Sequence, residues 1–238
     1  MAVVDLRADR AQQAAKEICL AGGQAVGFRC DVGQEEDVRS CIEKTVKKFG
    51  TLSIIVNNAG VVYVRKLHES SEQEWDRLMA VNIKSIFFSL KHGLRHLSNI
   101  RRSWIVNIGS ISSFVGQANT PAYTTSKHAV LGLTRSIALD YARYGVRCNC
   151  VCPGITETPM LREHLEMTTD PQGALSARLR RVAMGVALSP EHIARAVLYL
   201  SCDDSFGVTG TSLTIDCGYL AAAEWDAGGY ASLVGHSA

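Results

Sequence analysis

Ser53-Ile54-Ile55-Val56-Asn57-Asn58-Ala59-Gly60 is a short apolar run that stops in turn-forming polar residues. So short a run, apolar throughout its middle, is expected of a parallel strand covered on both faces. Comparable runs recur at residues 2–6, 24–30, 104–108, 146–152 and 213–215. Between them lie stretches of helical period at 9–20, 34–49, 71–97, 122–144 and 190–200, with Val38, Ile42 and Val46 forming one such stripe. Strands alternating with helices predict βαβ units and an α/β fold, a doubly wound parallel sheet.

Local signals agree with these bounds. Gly22-Gly23 ends the first helix, Ser71-x-x-Glu74 is a capping box, and Pro190 suits a first helical turn. Pro153-Gly154 breaks the strand before it and opens a less regular stretch, residues 155–188, expected to form a substrate lid. Residues 219–238 form a Gly/Ala-rich C-terminal tail. No repeat or linker interrupts the chain, so residues 1–238 are expected to be one domain.

Composition narrows the classes. Hydrophobic residues make up 47% of the chain and charged residues 20%, enough for a core and a solvated surface. The formal charge of +2 comes from scattered basic residues, with no tract suited to nucleic acid. No apolar run approaches the ~20 residues of a membrane span, and no basic leader precedes an apolar stretch at the N-terminus. A cytoplasmic protein is the expectation. The eight cysteines form no CxxC pair and sit inside apolar patterns, as buried thiols do in reducing compartments. Cys148, Cys150 and Cys152 share one face of a strand, where core filling is expected rather than a soft-metal site. His92 and His96 are spaced i,i+4 but have no carboxylate partner, so no metal is expected.

The chemistry points to Ser110, Tyr123 and Lys127. Tyr123 and Lys127 stand at i and i+4 on one helix face, where an ammonium can stabilise a phenolate and lower a pKa that starts near ~10. That makes a tyrosine a general acid/base at neutral pH. Ser110 follows an apolar strand, the end of a parallel sheet at which α/β folds place ligands. His128, next to Lys127, points off that face. Gly-x-Ser-x-Gly is absent, which excludes Ser110 as a hydrolase nucleophile of that type.

With these residues the chain resembles the short-chain dehydrogenase/reductase family, in its common branch of about 250 residues, which implies that residues 1–238 form one dinucleotide-binding and catalytic domain with a Rossmann-like doubly wound sheet. The family's Ser followed thirteen residues later by Tyr-x-x-x-Lys stands here as Ser110, Tyr123 and Lys127. Asn57-Asn58-Ala59-Gly60, Asn82, and the run Pro153-Gly154-Ile155-Thr156-Glu157-Thr158 match further family motifs in the same order. The resemblance implies that Tyr123 exchanges a proton with the substrate oxygen and that Ser110 hydrogen-bonds that oxygen. It implies that Lys127 tunes Tyr123 and holds the nicotinamide ribose, with Asn82 completing a tetrad through an ordered water. Cofactor contacts are implied at Asn58, Ala59, Gly60, Tyr123, Lys127, Pro153, Gly154, Thr156 and Thr158, and near the adenine at Asp31 and Val32. An acid closing the strand at residues 2–6, Asp5, would accept from the adenosine ribose hydroxyls and repel a 2′-phosphate, favouring NAD. Arg7 beside it could accommodate that phosphate instead, and an acid leading a helix is the alternative account of Asp5 and of Asp31.

Family members begin with a strand and a T-G-x-x-x-G-x-G turn that binds pyrophosphate, and residues 2–6 already correspond to the second strand. This N-terminal βα element is therefore expected to be absent, either because the chain is a fragment or because it is a variant. Strands 2–6 and 53–57 must then pair directly or face each other across a gap. The expected function is NAD(H)-dependent interconversion of a secondary alcohol and a ketone. One alternative is a 3-oxoacyl-thioester reductase, with Arg178, Arg180 and Arg181 docking an acidic carrier. The contrasting alternative is a truncated, non-catalytic member. The resemblance also implies a homo-oligomer, a tetramer built on the helices at 71–97 and 122–144, with Phe87, Phe88 and Leu90 supplying extra apolar area.

Overall fold

A computed structural model describes residues 1–100 and 102–221. All but the first three residues of the expected tail lie outside it. Among the described residues six parallel strands are present: β1 (Ala2–Asp5), β2 (Val26–Arg29), β3 (Ile54–Asn57), β4 (Ser103–Ile108), β5 (Val146–Pro153) and β6 (Ser212–Ile215). The helices are α1 (Ala8–Leu20), α2 (Glu35–Phe49), α3 (Glu72–Met79), α4 (Ser85–Leu97), α5 (Pro121–Tyr141), α6 (Pro159–Glu166), α7 (Pro171–Leu179) and α8 (Pro190–Leu200). None of the described helices is long and apolar enough to cross a membrane.

The expected single sheet is interrupted. β1 pairs with β2, and β3, β4, β5 and β6 pair in that order, but β1 and β3 share no ladder. Helix packing joins the two parts instead. Cys41 and Ile42 of α2 bury against Phe88 of α4 beside Cys30, with Leu52 filling in. Glu35 at the start of α2 meets Lys91 at 2.7 Å and His92 at 2.9 Å on α4, and Arg77 of α3 meets Asp31 at 2.8 Å. Helix α2 is favoured locally: Glu35, Glu36 and Asp37 lie at its N-terminus and Lys47 and Lys48 at its C-terminus, each complementing the helix dipole. Gly50 then ends it at φ +76°, a left-handed conformation that glycine adopts at little cost.

Helices cover both faces of β4 and β5. Ile105, Cys148, Cys150 and Cys152 bury against Val130, Leu131, Ile137 and Ala138 of α5 on one face. Val106 and Val151 bury against Ala196 and Leu200 of α8 on the other. The three cysteines are fully buried core residues. β3 departs from the two-sided burial its sequence suggested. Ile55 packs into the α5 layer, but Ile54 and Val56 on the opposite face are 40% and 42% exposed. Val4 and Leu6, in and just after β1, are likewise exposed. Each of β1 and β3 thus keeps one unpaired backbone edge beside uncovered apolar side chains.

The long helix expected over 71–97 forms with its Ser71–Glu74 capping box, but one turn, Ala80–Lys84, is a π-helix carrying Asn82. Of the three residues expected to give α4 spare apolar surface, Phe88 and Leu90 instead pack inward and only Phe87 is exposed. Residues 155–188 hold two short helices, α6 and α7, each opened by a proline in its first turn.

Candidate active site

The C-terminal ends of β3, β4 and β5 converge, and three motif segments leave the sheet there: Asn57–Gly60, Gly109-Ser110 and Pro153-Gly154. This is where a parallel sheet opens a ligand crevice. Gly109 is required by packing. A Cβ there would lie 2.8 Å from Cys152 Sγ and 2.9 Å from Cys150 Sγ. At Gly154 a Cβ would lie 2.8 Å from the Asp216 Cα, so only glycine lets the chain pass the end of β6.

The structure brings the Ser110 and Tyr123 side chains together, near enough for the serine hydroxyl to bear on the phenol. Ser110 is buried, and its Oγ also accepts from the Ser112 N–H at 3.1 Å, capping the 3₁₀ turn Ile111–Ser113. Burial pushes the Tyr123 phenol above its ordinary pKa, and the nearby Ser110 hydroxyl works against that shift. Lys127 lies on the same face of α5, its Nζ 5.6 Å from the Tyr123 ring centroid. It is buried and donates to the Ile108 carbonyl at 2.7 Å. Desolvation lowers its pKa to about 8, opposed by the neighbouring thiols of Cys150 and Cys152. The expected lowering of the Tyr123 pKa by Lys127 is therefore not seen in the protein alone. Desolvation decides both groups.

Asn82 is buried and fully engaged. Its Oδ1 accepts from the Val61 N–H at 2.9 Å, and its Nδ2 donates to the Val61 carbonyl at 3.0 Å and to Ser126 Oγ at 3.0 Å. The π-turn aims this side chain at the loop after Gly60, and π-bulges recur at functional sites for such reasons. Gly60 lies over Asn82 and Lys127, because a Cβ there would lie 3.5 Å from Asn82 Oδ1 and 3.7 Å from Lys127 Nζ.

Several supporting residues escaped the sequence reading. Ser113 Oγ accepts from the Ser110 N–H at 3.2 Å and donates to the Lys127 carbonyl at 2.8 Å, tying the serine turn to α5. Ser126 Oγ donates to the Tyr123 carbonyl at 2.7 Å while accepting from Asn82. Asn107, fully buried, accepts from Asn57 Nδ2 at 2.8 Å and donates to Thr134 Oγ1 at 3.0 Å. Asn107 did carry a signal: an amide inside the apolar run 104–108 must be buried and must find partners. Ser113 and Ser126 carried none, since serines near turns and helix starts are ordinary.

The other expected contacts lie around the same crevice or beside β1. Asn58 and Ala59 are exposed on the loop after β3. Thr156 Oγ1 donates to the Gly154 carbonyl at 3.1 Å. Thr158 Oγ accepts from the Leu161 N–H at 3.3 Å and caps α6, which leaves its O–H hydrogen to donate elsewhere. Asp5 ends β1, accepting from the Arg7 N–H at 2.8 Å, while the Arg7 side chain pairs with Asp9 at 2.6 Å. Val32 packs beside Cys30 and Val38. Asp31 is engaged by Arg77 and by the Gly33 N–H at 2.9 Å. Burial raises its pKa, but those hydrogen bonds and the Arg77 charge outweigh that and hold it below the ordinary carboxylate value. His128 is exposed, with Nδ1 at 2.9 Å from the Thr124 carbonyl.

Comparison with known proteins adds relatives along the same length. A family model described as enoyl-(acyl carrier protein) reductase matches residues 1–220. The chain is 35% identical over 218 residues to an uncharacterized oxidoreductase of Thermotoga maritima, covering 92% of this chain and 86% of the relative. It is 37% identical over 225 residues to 2-(R)-hydroxypropyl-CoM dehydrogenase of Xanthobacter autotrophicus, covering 93% and 88%. Among solved structures, a gluconate 5-dehydrogenase from Burkholderia cenocepacia in complex with NADP and tartrate superposes with a TM-score of 0.86 at 28% identity, covering 93% of this chain and 86% of that one. The ligand-free aldohexose dehydrogenase of Thermoplasma acidophilum superposes with a TM-score of 0.84 at 31% identity, covering 94% of each.

Proposed function

The chain belongs to the short-chain dehydrogenase/reductase family and is an oxidoreductase, and on that premise we propose that it interconverts a secondary alcohol and a ketone with NAD(H). The observation that carries this reading is the convergence of Ser110, Tyr123 and Lys127 at the end of β4, with Asn82 locked beside them. Relatives named as hydroxypropyl-CoM and (+)-borneol dehydrogenases support an alcohol substrate.

The residues present fit a nicotinamide cofactor. The Lys127 ammonium has three hydrogens and one protein acceptor, the Ile108 carbonyl, so the others suit a ribose diol. Asp5 at the end of β1 suits adenosine ribose hydroxyls, and Arg7 is drawn off toward Asp9 rather than toward a 2′-phosphate. Those two facts favour NAD, although the Burkholderia relative holds NADP. When bound, the nicotinamide supplies the hydride acceptor or donor.

Within that frame Tyr123 gives or takes the proton at the substrate oxygen through its hydroxyl, and Ser110 Oγ positions the same oxygen. Lys127 charge favours the phenolate once a ligand draws Nζ toward Tyr123. Asn82 holds the loop after Gly60 above Lys127. Residues 155–188 shape the substrate side.

Two further proposals belong to this reading. The uncovered residues Val4, Leu6, Ile54 and Val56, with the unpaired edges of β1 and β3, suit an additional strand with its glycine-rich turn and helix. Exposed Phe87 on α4 and Leu139 on α5 suit a homo-oligomer, a tetramer, in the cytoplasm; a monomer by light scattering would contradict the assembly.

The test is turnover of a panel of secondary alcohols by the protein with NAD or NADP. Tyr123→Phe should lose ~10²- to 10⁴-fold in kcat while keeping its NADH affinity. Turnover of none of the alcohols, or a Tyr123→Phe enzyme that keeps most of its rate, would remove the proposal.

A further inference from the structure

Ser113 takes no part in the chemistry above, yet it stands between two groups that do. It is buried, and its Oγ accepts from the Ser110 N–H at 3.2 Å and donates to the Lys127 carbonyl at 2.8 Å. We propose that Ser113 is a positioning residue: its hydroxyl holds Ser110 in register with Tyr123 while Lys127 is engaged with a bound ligand. The inference rests on the functional reading above, in which Ser110 and Tyr123 act on one substrate oxygen.

The Ser113 hydroxyl is fixed in place. A serine offers one hydrogen and two lone pairs. Here the hydrogen goes to Lys127, and the Ser110 N–H occupies a lone pair. Packing restricts it further. A Cβ on Gly109 would lie 2.8 Å from Cys152 Sγ, 2.9 Å from Cys150 Sγ and 3.0 Å from Ser113 Oγ, so the three atoms form one wall against the chain just before Ser110. The other bonds of this turn stay local: the Ser113 N–H donates to the Ser110 carbonyl at 2.9 Å, and Ser110 Oγ accepts from the Ser112 N–H at 3.1 Å. The Ser113 hydroxyl is what crosses from the turn to α5.

Two bonds pin the end of β4 to α5. The Lys127 ammonium donates to the Ile108 carbonyl at 2.7 Å, and the Lys127 carbonyl accepts from Ser113. They respond differently to a ligand. The ammonium is the group that turns toward a ribose diol in the functional reading, so its hold on Ile108 is shared once a ligand is present. The carbonyl belongs to the α5 backbone, four residues after Tyr123, and does not follow the side chain. The Ser113 bridge therefore persists when the first pin loosens. Through it the Ser110 backbone and the turn of α5 bearing Tyr123 keep one spacing. That spacing matters because a misplacement of about 1 Å can cost on the order of 10²-fold in rate.

Amide exchange tests the bridge without reference to activity. Deuterium uptake, resolved to single residues, is compared for the wild-type protein and Ser113→Ala. The Ser110 N–H should exchange slowly in the wild type and faster in the variant, with the amides of β4 as protected as before. A wild-type Ser110 N–H that exchanges as fast as an open loop would overturn the proposal, whether or not the variant folds. Equal protection in the two proteins would do the same.

The coupling is then read in alcohol oxidation. Ser113→Ala should lower kcat about 10-fold, a partial form of the misplacement cost, with KM nearly unchanged. Its kcat/KM should also rise at a higher pH than in the wild type. Burial and the Cys152 thiol raise the Tyr123 pKa, and the nearby Ser110 hydroxyl lowers it. Lys127 is the charged group on the same helix face. A loosened Ser110 gives up its share of the lowering, and alcohol oxidation needs the phenolate as base. Ser205→Ala is the control for a lost buried hydroxyl, since Ser205 Oγ accepts from Arg147 and donates to the Cys202 carbonyl beside the start of β5. It should leave kcat and the pH profile in place. A Ser113→Ala enzyme with wild-type kcat, a loss of kcat without the pH displacement, or an equal displacement in Ser205→Ala would overturn the positioning role. A wild-type protein that oxidises no alcohol counts against the functional reading instead, and the exchange data still decide the bridge.

Discussion

Asn82 and Ser126, separated by 44 residues, meet through a 3.0 Å hydrogen bond that ties the π-turn before α4 to helix α5. The same amide closes a two-way pair with the Val61 backbone, so one side chain fixes three segments at once.

Replacing Asn82 by Ala should therefore damage stability as well as turnover. Partly buried Val61 N–H and C=O groups would lose their partner, and each such loss costs about 1–3 kcal/mol unless water replaces it. Urea denaturation should show a lower midpoint with an unchanged slope. A variant within about 0.5 kcal/mol of wild type would place Asn82 outside the framework, since surface changes commonly stay in that range.

The buried Lys127 gives a pH signature. Its folded pKa, lowered to about 8, lies below the value of ~10.4 expected when unfolded. Below pH 8 both states hold the proton, and the cost of burying the charge is fully present. Between about pH 8 and 10 the unfolded state binds more protons, so this group's contribution to stability rises with pH. Lys127→Met should remove that rise, and denaturation curves collected from pH 7 to 10 check it. The window stops there because Tyr123, with a raised folded pKa, acts in the opposite direction above about pH 10. Parallel pH profiles for wild type and Lys127→Met would show the assignment to be wrong.

Cofactor choice should depend on Asp5. Asp5→Ala should weaken NAD and narrow its advantage over NADP in kcat/KM, because the ribose acceptor and the phosphate-repelling charge disappear together. A wild-type enzyme that already prefers NADP would transfer the deciding role to Arg7, freed from Asp9.

The open edges of β1 and β3 predict weak NAD binding by the 238-residue chain by itself. On the proposal that a glycine-rich turn belongs beside these edges, its two or three backbone hydrogen bonds to pyrophosphate, each worth roughly 1.5–3 kcal/mol, amount to about 3–5 kcal/mol after water compensates. That corresponds to a ~10²- to 10⁴-fold weaker dissociation constant. Calorimetry with the chain should show no tight NAD binding and a marginal melting transition. Low-micromolar binding would reveal a phosphate site built from other residues.

The parallel α/β order, the cap at Ser71, the stop at Gly22-Gly23 and the register of Ser110, Tyr123 and Lys127 were all legible in the chain. Each depends on neighbours within a few residues: periodicity, capping chemistry, or i,i+4 spacing on one helix face. The tertiary structure alone decided the rest. Ile54 and Val56 read as buried because they are apolar, but their exposure depends on what packs across β3, which no local pattern encodes. Lys127 reads as an ammonium that lowers the Tyr123 pKa, but burial, set by the convergence of β4, β5 and α5, moves both groups toward their neutral forms. Gly109 reads as an ordinary residue before a serine, and only the closeness of Cys150 and Cys152 shows why a side chain there is forbidden. Short-range preferences follow from covalent geometry and hydrogen bonding along the backbone. Desolvation and steric exclusion depend on atoms that are far apart in the chain and become neighbours only in the folded protein.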